Sequence, residues 1–308
     1  MSQRILHRGL TLIVGFAAAL PALSAGAAAD DPPPPPKDGA GTPPPDKPPD
    51  KPPEKPPEKT PEEKKAEEEK KAEEVKEFLK HYEEGLGKMT GEEAISGIGK
   101  LKAWYIDPKL DPELKKGIIT LFSTKVVKFR GEGKDAYLET AAKALGEMGG
   151  DSSVALIRFL VDWADGQKIQ ITAVVRAGLA GLGKIASLKP ADVKYLTEML
   201  KGKDEFIGDA ARALSGYKKA PGAIRQDIFE ELLKISEGVF SKQQANDNNA
   251  KRRWNIWGSE VIDAMKAVTH QERATPIEYR KWLNDKGPTG GKNPKSWADE
   301  PDPKDQKN

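Results

Sequence analysis

The feature that most constrains this chain is a three-residue apolar stripe at i, i+4 and i+7 that recurs five times. It reads Ala94/Ile98/Leu101, Ala141/Leu145/Met148, Val175/Leu179/Leu182, Ala210/Leu214/Tyr217 and Val261/Met265/Val268. Such spacing places three side chains on one face of an α-helix and on opposite faces of a strand. Any single amphipathic helix has such a stripe. The intervals between the stripes are 47, 34, 35 and 51 residues, and the two central ones are nearly equal. Small residues accompany the central stripes, in Ala144-Leu145-Gly146, Gly178-Leu179-Ala180 and Ala213-Leu214-Ser215. Small side chains let one helix axis approach another closely.

Between the stripes lie more strongly apolar segments. Val154 to Ile157 with Phe159 and Leu160 is one. Val193, Leu196 and Leu200 mark a second, and Ile228, Leu232, Leu233 and Ile235 a third. Ten helices are predicted from Gly91 to Asp285, and no strand: 91–105, 111–129, 134–148, 151–165, 168–186, 190–202, 204–217, 221–238, 248–269 and 276–285. Asp111 before Pro112 and Glu113, Asp151 after Gly149-Gly150, and Thr275 before Pro276 with Glu278 supply start signals. Short connections favour antiparallel helix pairs.

On Ala141 to Leu160, Val175 to Leu200 and Ala210 to Leu233 the chain resembles the HEAT-repeat family, in pattern and not in identity. The resemblance implies helix pairs stacked as a short α-solenoid over 90–285, with an extended groove that holds a protein or peptide. The close of the chain is similar to exported bacterial HEAT-like proteins, which end in a Thr-initiated, Trp-containing helix, here Thr275 through Trp282. The outer intervals depart from the central period, as terminal repeats do. The rival fold is a compact, non-repetitive helical bundle.

The flanks differ in composition. Residues 1–29 read as a cleavable secretory signal. Arg4 and Arg8 precede an apolar run from Thr11 to Leu23, and Ala25-Gly26-Ala27 and Ala27-Ala28-Ala29 offer cleavage sites. As an uncleaved anchor the run is short of the ~20 apolar residues a span needs, and Pro21 breaks it. Residues 30–61 are a Pro-rich disordered spacer, with Asp46-Lys47-Pro48-Pro49 and its variants repeated to Pro61. Proline fixes φ and restricts the residue before it, so the segment favours polyproline II and reaches roughly 90 Å when extended. A charged helix occupies 62–89, capped by Thr60 with Glu63, supported by pairs such as Glu67–Lys71, and apolar only from Val75 through Leu79, Tyr82 and Leu86. Residues 286–308 read as a disordered tail carrying Trp297.

Composition narrows the chemistry. The chain has 50 basic and 48 acidic residues, and the first 29 hold Arg4, Arg8 and no acid, which leaves 48 of each after cleavage. A balanced mature chain gives no basic field for nucleic acid. Without cysteine there is no disulfide, no thiolate metal site and no lipidated N-terminus. His7, His81 and His270 lack metal-type spacing. Gly178 to Lys184 matches G-x-x-x-x-G-K, but Ile185 stands where a phosphate loop needs Ser or Thr and no strand precedes it. Its glycines read as packing positions. Ser96 lacks the first glycine of a nucleophile elbow.

The most unusual cluster is Lys251-Arg252-Arg253-Trp254-Asn255-Ile256-Trp257. Cations beside aromatics suit phosphate groups, a lipid surface or a glycan. The competing reading puts Trp254, Trp257, Val261 and Met265 on the buried face of a helix that follows a polar loop at Gln243 to Asn249. The expected protein is an exported, non-catalytic scaffold, periplasmic or extracellular. It has no cofactor, no metal and no transmembrane segment once the signal is cleaved. Its partner is a protein or peptide, or alternatively a cell-wall or envelope component bridged by a structural spacer. A lyase-like enzyme is the remaining alternative.

Overall fold

The computed structural model describes residues 60–131, 133–167 and 171–286. The chain divides into two units, Met1–Pro57 and Glu58–Asn308, and the described residues all belong to the second. The predicted signal, nearly all of the spacer and all but the first residue of the tail, Trp297 included, lie outside the described residues. Within them the chain is all-helical. Eleven α-helices and two 3-10 turns account for the secondary structure, with no strand among the described residues.

Helix α1 (Pro61–Gly85) starts as its sequence predicts. Glu63 N–H donates to Thr60 Oγ1 at 3.3 Å, and Thr60 N–H donates back to Glu63 Oε2 at 2.8 Å. Its first ten residues are all exposed, and burial begins at Val75 and Tyr82. Tyr82 lies flat on α2 (Gly91–Ile106). A methyl built on Gly97 would stand 2.0 Å from the Tyr82 ring, and the phenol donates to Ala94 O at 2.7 Å. Burial pushes the Tyr82 hydroxyl up to about 12. Lys71 bonds Asp107, just past α2.

The remaining helices follow the predicted order: α3 (Pro112–Thr124), α4 (Asp135–Met148), α5 (Gly150–Asp165), α6 (Thr172–Ile185), α7 (Pro190–Met199), α8 (Asp204–Ser215), α9 (Gly222–Gln244), α10 (Asn248–Thr269) and α11 (Pro276–Lys286). Several boundaries move for identifiable reasons. The predicted helix 111–129 ends at Thr124, where Lys125 leaves helical geometry and a 3-10 turn, Val126–Lys128, buries Val126 and Val127. Helix 204–217 also closes in a 3-10 turn, Gly216–Lys219. Asp151 does not cap α5. Gly149 and Gly150 turn the chain at φ of 70° and 79°, a region glycine enters without a steric penalty. The predicted helix 221–238 runs six residues further, to Gln244, because Val239 and Phe240 are buried beyond Gly238.

All fifteen stripe residues are buried, the most exposed being Met148 at 8%. Fourteen of them belong to the even-numbered helices and Tyr217 to the 3-10 turn after α8, and those helices meet in succession: α2 on α4, α4 on α6, α6 on α8 and α8 on α10. The odd-numbered helices meet in the same succession. α1 touches α3, α3 touches α5, α7 touches α9, and α9 touches α11. α5 and α7 are joined by Arg158 to Asp192 at 2.9 Å and by Tyr195 to Asp162 at 2.7 Å.

Glycines set the even-helix contacts. A methyl on Gly146 would lie 2.5 Å from Gly181 Cα, and one on Gly183 2.6 Å from Ala213 Cα. A methyl on Gly216 would lie 2.1 Å from Gly183 O. The contact thus uses Gly181, Gly183 and Gly216, while Ala180 of the predicted small-residue set is exposed and Ser215 half-buried. Gly178 faces α5, with Val161 Cγ2 2.3 Å from a built methyl. Two salt bridges with nearly buried aspartates reinforce the stack, Arg158–Asp192 and Arg176–Asp209.

Gly146→Ala forces Cβ into backbone and is expected to cost about 1–3 kcal/mol of overpacking. Gly99→Ala, in the exposed interior of α2 with no atom within 4 Å of the new methyl, should gain about 0.5–1 kcal/mol. Opposite shifts of the urea midpoint check the pair. Asp107 makes a second expectation. The Lys71 bond holds its carboxyl below the usual 3.8, so its contribution is present above that value and is lost as pH falls through the lowered one. Amide exchange in α1 should therefore rise in acid before exchange in α6 does, and Lys71→Ala should remove that difference.

Candidate functional site

The basic and aromatic cluster starts α10. Asp247 caps the helix, accepting from Ala250 N–H at 2.9 Å, so the predicted polar loop shrinks to 245–247. Helical rotation then sends the five singled-out residues in different directions. Lys251 turns back to Asn246 Oδ1 at 2.9 Å. Arg252 is exposed. Arg253 reaches Asp204 at the start of α8, with Nε 2.8 and 3.0 Å from the two carboxylate oxygens. Trp254 packs against Phe240 and Trp257, ring centres 4.9 and 5.6 Å away, and covers Gly258, where a methyl would stand 2.5 Å from the indole. Trp257 is 1% exposed.

The structure therefore brings Arg253 and Trp257 together and separates Lys251 and Arg252 from them. Magnitudes rank these roles. Burying a tryptophan of this kind is worth about 3–5 kcal/mol by truncation, whereas a half-exposed ion pair such as Arg253–Asp204 is worth up to about 1 kcal/mol. Packing is the first job of the cluster.

Arg253 and Trp257 also line a crevice of about 330 Å³ among the end of α7, the second half of α9 and the start of α10. Leu200 and Ile207 supply apolar wall, and Lys201, Lys242 and Asn249 supply polar rim. Lys201 is held by Glu198 at 3.1 Å and Glu231 at 3.2 Å, and the Glu198 bond chiefly keeps its ammonium above the usual lysine value. Lys242 is exposed and has no ion-pair partner among the described residues. The Trp257 indole N–H is buried without an acceptor. Sequence reading missed Lys201 and Lys242. Lys242 became visible as a helical residue only because α9 extends to Gln244, and Lys201 stands 52 residues before Arg253.

A second surface feature joins three segments. Arg130, after the first 3-10 turn, lies over Phe159 and Trp163 of α5 at 4.9 and 5.4 Å, and Arg158 lies over Tyr195 of α7 at 4.6 Å. Phe159 is 39% exposed because it falls off the Val154/Ile157/Leu160 face. These rings are already covered by guanidinium groups from the same chain. Elsewhere, His81 is exposed and His270 closes α10 in left-handed geometry. Among the described residues no three His, Asp or Glu side chains gather to hold a metal, and no helix is long and apolar enough to cross a membrane. The glycines of the phosphate-loop look-alike lie inside α6, against α5, α4 and α8.

Compared with known proteins, the chain matches no family model, no curated protein and no solved structure.

Trp257→Ala is expected to lower unfolding free energy by about 3–5 kcal/mol, while Arg252→Ala should stay within about 0.5 kcal/mol. Urea denaturation followed by circular dichroism measures both. A large cost at Arg252 with a small one at Trp257 would reverse the ranking.

Proposed function

We propose that the described helices form a short helix-pair solenoid of the HEAT-like kind, carried by an exported chain as a non-catalytic scaffold for a protein or peptide partner. The observation that supports this reading is the succession of contacts: besides the packing of chain neighbours such as α9 on α10 and α5 on α6, each even helix packs on the next even one, from α2 on α4 to α8 on α10. An arrangement of that kind adds surface with every pair, and extended surface is what repeat proteins use to hold other chains. The secretory signal read from residues 1–29 puts the scaffold in the periplasm or outside the cell. The Pro-rich segment after it gives the scaffold reach.

That same segment favours a second reading, a structural protein bridging envelope layers. The two separate by experiment. The scaffold reading expects the exported protein, isolated from its own compartment after crosslinking, to carry one partner in constant molar ratio, unchanged by deletion of 30–61. The bridging reading expects fractionation with the wall or outer membrane and its loss on that deletion. A partner-free monomer under all conditions, with no envelope association, excludes both. Scattering in solution tests the solenoid itself, since a compact bundle of 60–286 has a smaller radius of gyration than a stacked array of the same length.

A further inference from the structure

We propose that α1 is a hinged strap: it swings off α2 and α3 about the turn after Gly85 while α2 to α11 stay packed. Four observations carry this, and none depends on what the scaffold holds.

The first is how little of α1 is buried. Of its 25 residues only Val75 and Tyr82 are buried, with Leu86 just beyond, whereas α6 buries seven of its 14. Elements that bury few side chains are the ones that open locally, without global unfolding. The second is the seam beneath it. A cleft of about 860 Å³ lies between the Lys64 to Ala72 stretch and the turn at 107–111. Another of about 570 Å³ lies between Leu79 and Glu83 of α1 and Gly117 and Thr120 of α3. Close-packed interiors hold few voids larger than a water molecule. This seam is open on either side of Val75.

The third is what closes it. The Tyr82 ring on Gly97, with its phenol donating to Ala94 O, is one attachment. Two ion pairs make the others, Lys71–Asp107 and Glu83–Lys125, the second at 3.4 Å between half-exposed groups. Exposed pairs of that kind hold weakly and are screened by salt. The fourth is that each side carries its own helix signals. α1 and α2 both begin with a complete capping box, Thr60 with Glu63 and Thr90 with Glu93. Pairs such as Lys65–Glu69 support α1 as a helix without burial. In the turn between them, Gly85 O accepts from Lys88 and Met89 N–H, and a Cβ built on Gly87 would meet nothing within 4 Å. A few such loop residues suffice to absorb a change of direction. Swung out, α1 is an arm of roughly 37 Å, and the α2 surface at Gly97 and the α3 surface at Gly117 face water.

The test uses the full chain at neutral pH. Amide exchange at residues 75–86 should run about tenfold or more faster than at 174–182 of α6, with α2 still protected, and added salt should speed α1 alone. The chain has no cysteine, so one introduced thiol gives a second reading. Val75→Cys should react with a chromogenic disulfide reagent about tenfold or more faster than Val175→Cys, both positions being fully buried. Gly97→Ala drives a methyl into the Tyr82 ring, and should raise exchange in α1 about tenfold while leaving α6 unchanged. Gly117→Ala sets a methyl 3.4 Å from Leu79 Cδ1, an ordinary contact, and should slow exchange in α1 about threefold, whereas Gly99→Ala, which meets nothing, should not. Equal exchange at 75–86 and in α6, equal reaction of the two thiols, loss of protection in α1 and α2 together, or a rise in α1 and α6 alike on Gly97→Ala overturns the proposal.

Discussion

Backbone meets backbone where Gly146 faces Gly181 and where Gly183 faces Ala213 and Gly216, and the architecture of the even helices depends on those contacts. With no side chain between them, two helices lie close enough for their apolar stripes to interlock along their length. The gain is dispersion and excluded water spread over many atoms, not any single strong bond. The cost is specificity of a severe kind, since one methyl has nowhere to go. With no cysteine in the chain, no disulfide shares the load and stability rests on packing such as this. The buried aspartates Asp192 and Asp209, each held by arginine, then fix the sideways register of neighbouring helices more than they add net stability.

Much of this was legible in the sequence. The five stripes located the even helices because a buried face must repeat with the helical period. Thr60, Asp111 and Thr275 gave starts because each offers an oxygen to first-turn amides, and all three do so in the structure. Legibility failed where tertiary contact overrode local signal. The predicted helix stops at 238 and a polar loop is read from Gln243 to Asn249, yet α9 continues to Gln244 as Val239 and Phe240 bury, Phe240 against Trp254 of α10. The turn before α5 reads as an Asp start, yet the glycine pair alone makes it. Gly181, inside the phosphate-loop look-alike, reads as a packing position, and the structure supplies the neighbour it packs on, Gly146.

The crevice was invisible for a different reason. Its wall draws on Leu200, Lys242 and Trp257, from three separate segments that come together through the contacts of α7 with α9 and of α9 with α10. The cluster from Lys251 to Trp257 advertised itself by composition, but composition does not say which residues share a side of the helix. A rotation of 100° per residue dispersed it, leaving one arginine and one tryptophan to face the same space. The stacks of Arg130 on Phe159 and Trp163 and of Arg158 on Tyr195 were hidden by tertiary structure, since each cation and its rings come from different segments.

The exposed opening of α1 has a mechanical corollary. Its first ten residues bury no side chain, and the buried grips come later, at Val75 and then at the Tyr82 ring against Gly97. A pull arriving through the N-terminal side would reach these grips one after another, in the manner of a peeling strip and not of a shear lap. Peeling yields at low force and stepwise, so α1 would act as a shock absorber that gives way before the glycine-sealed layers behind it feel any load.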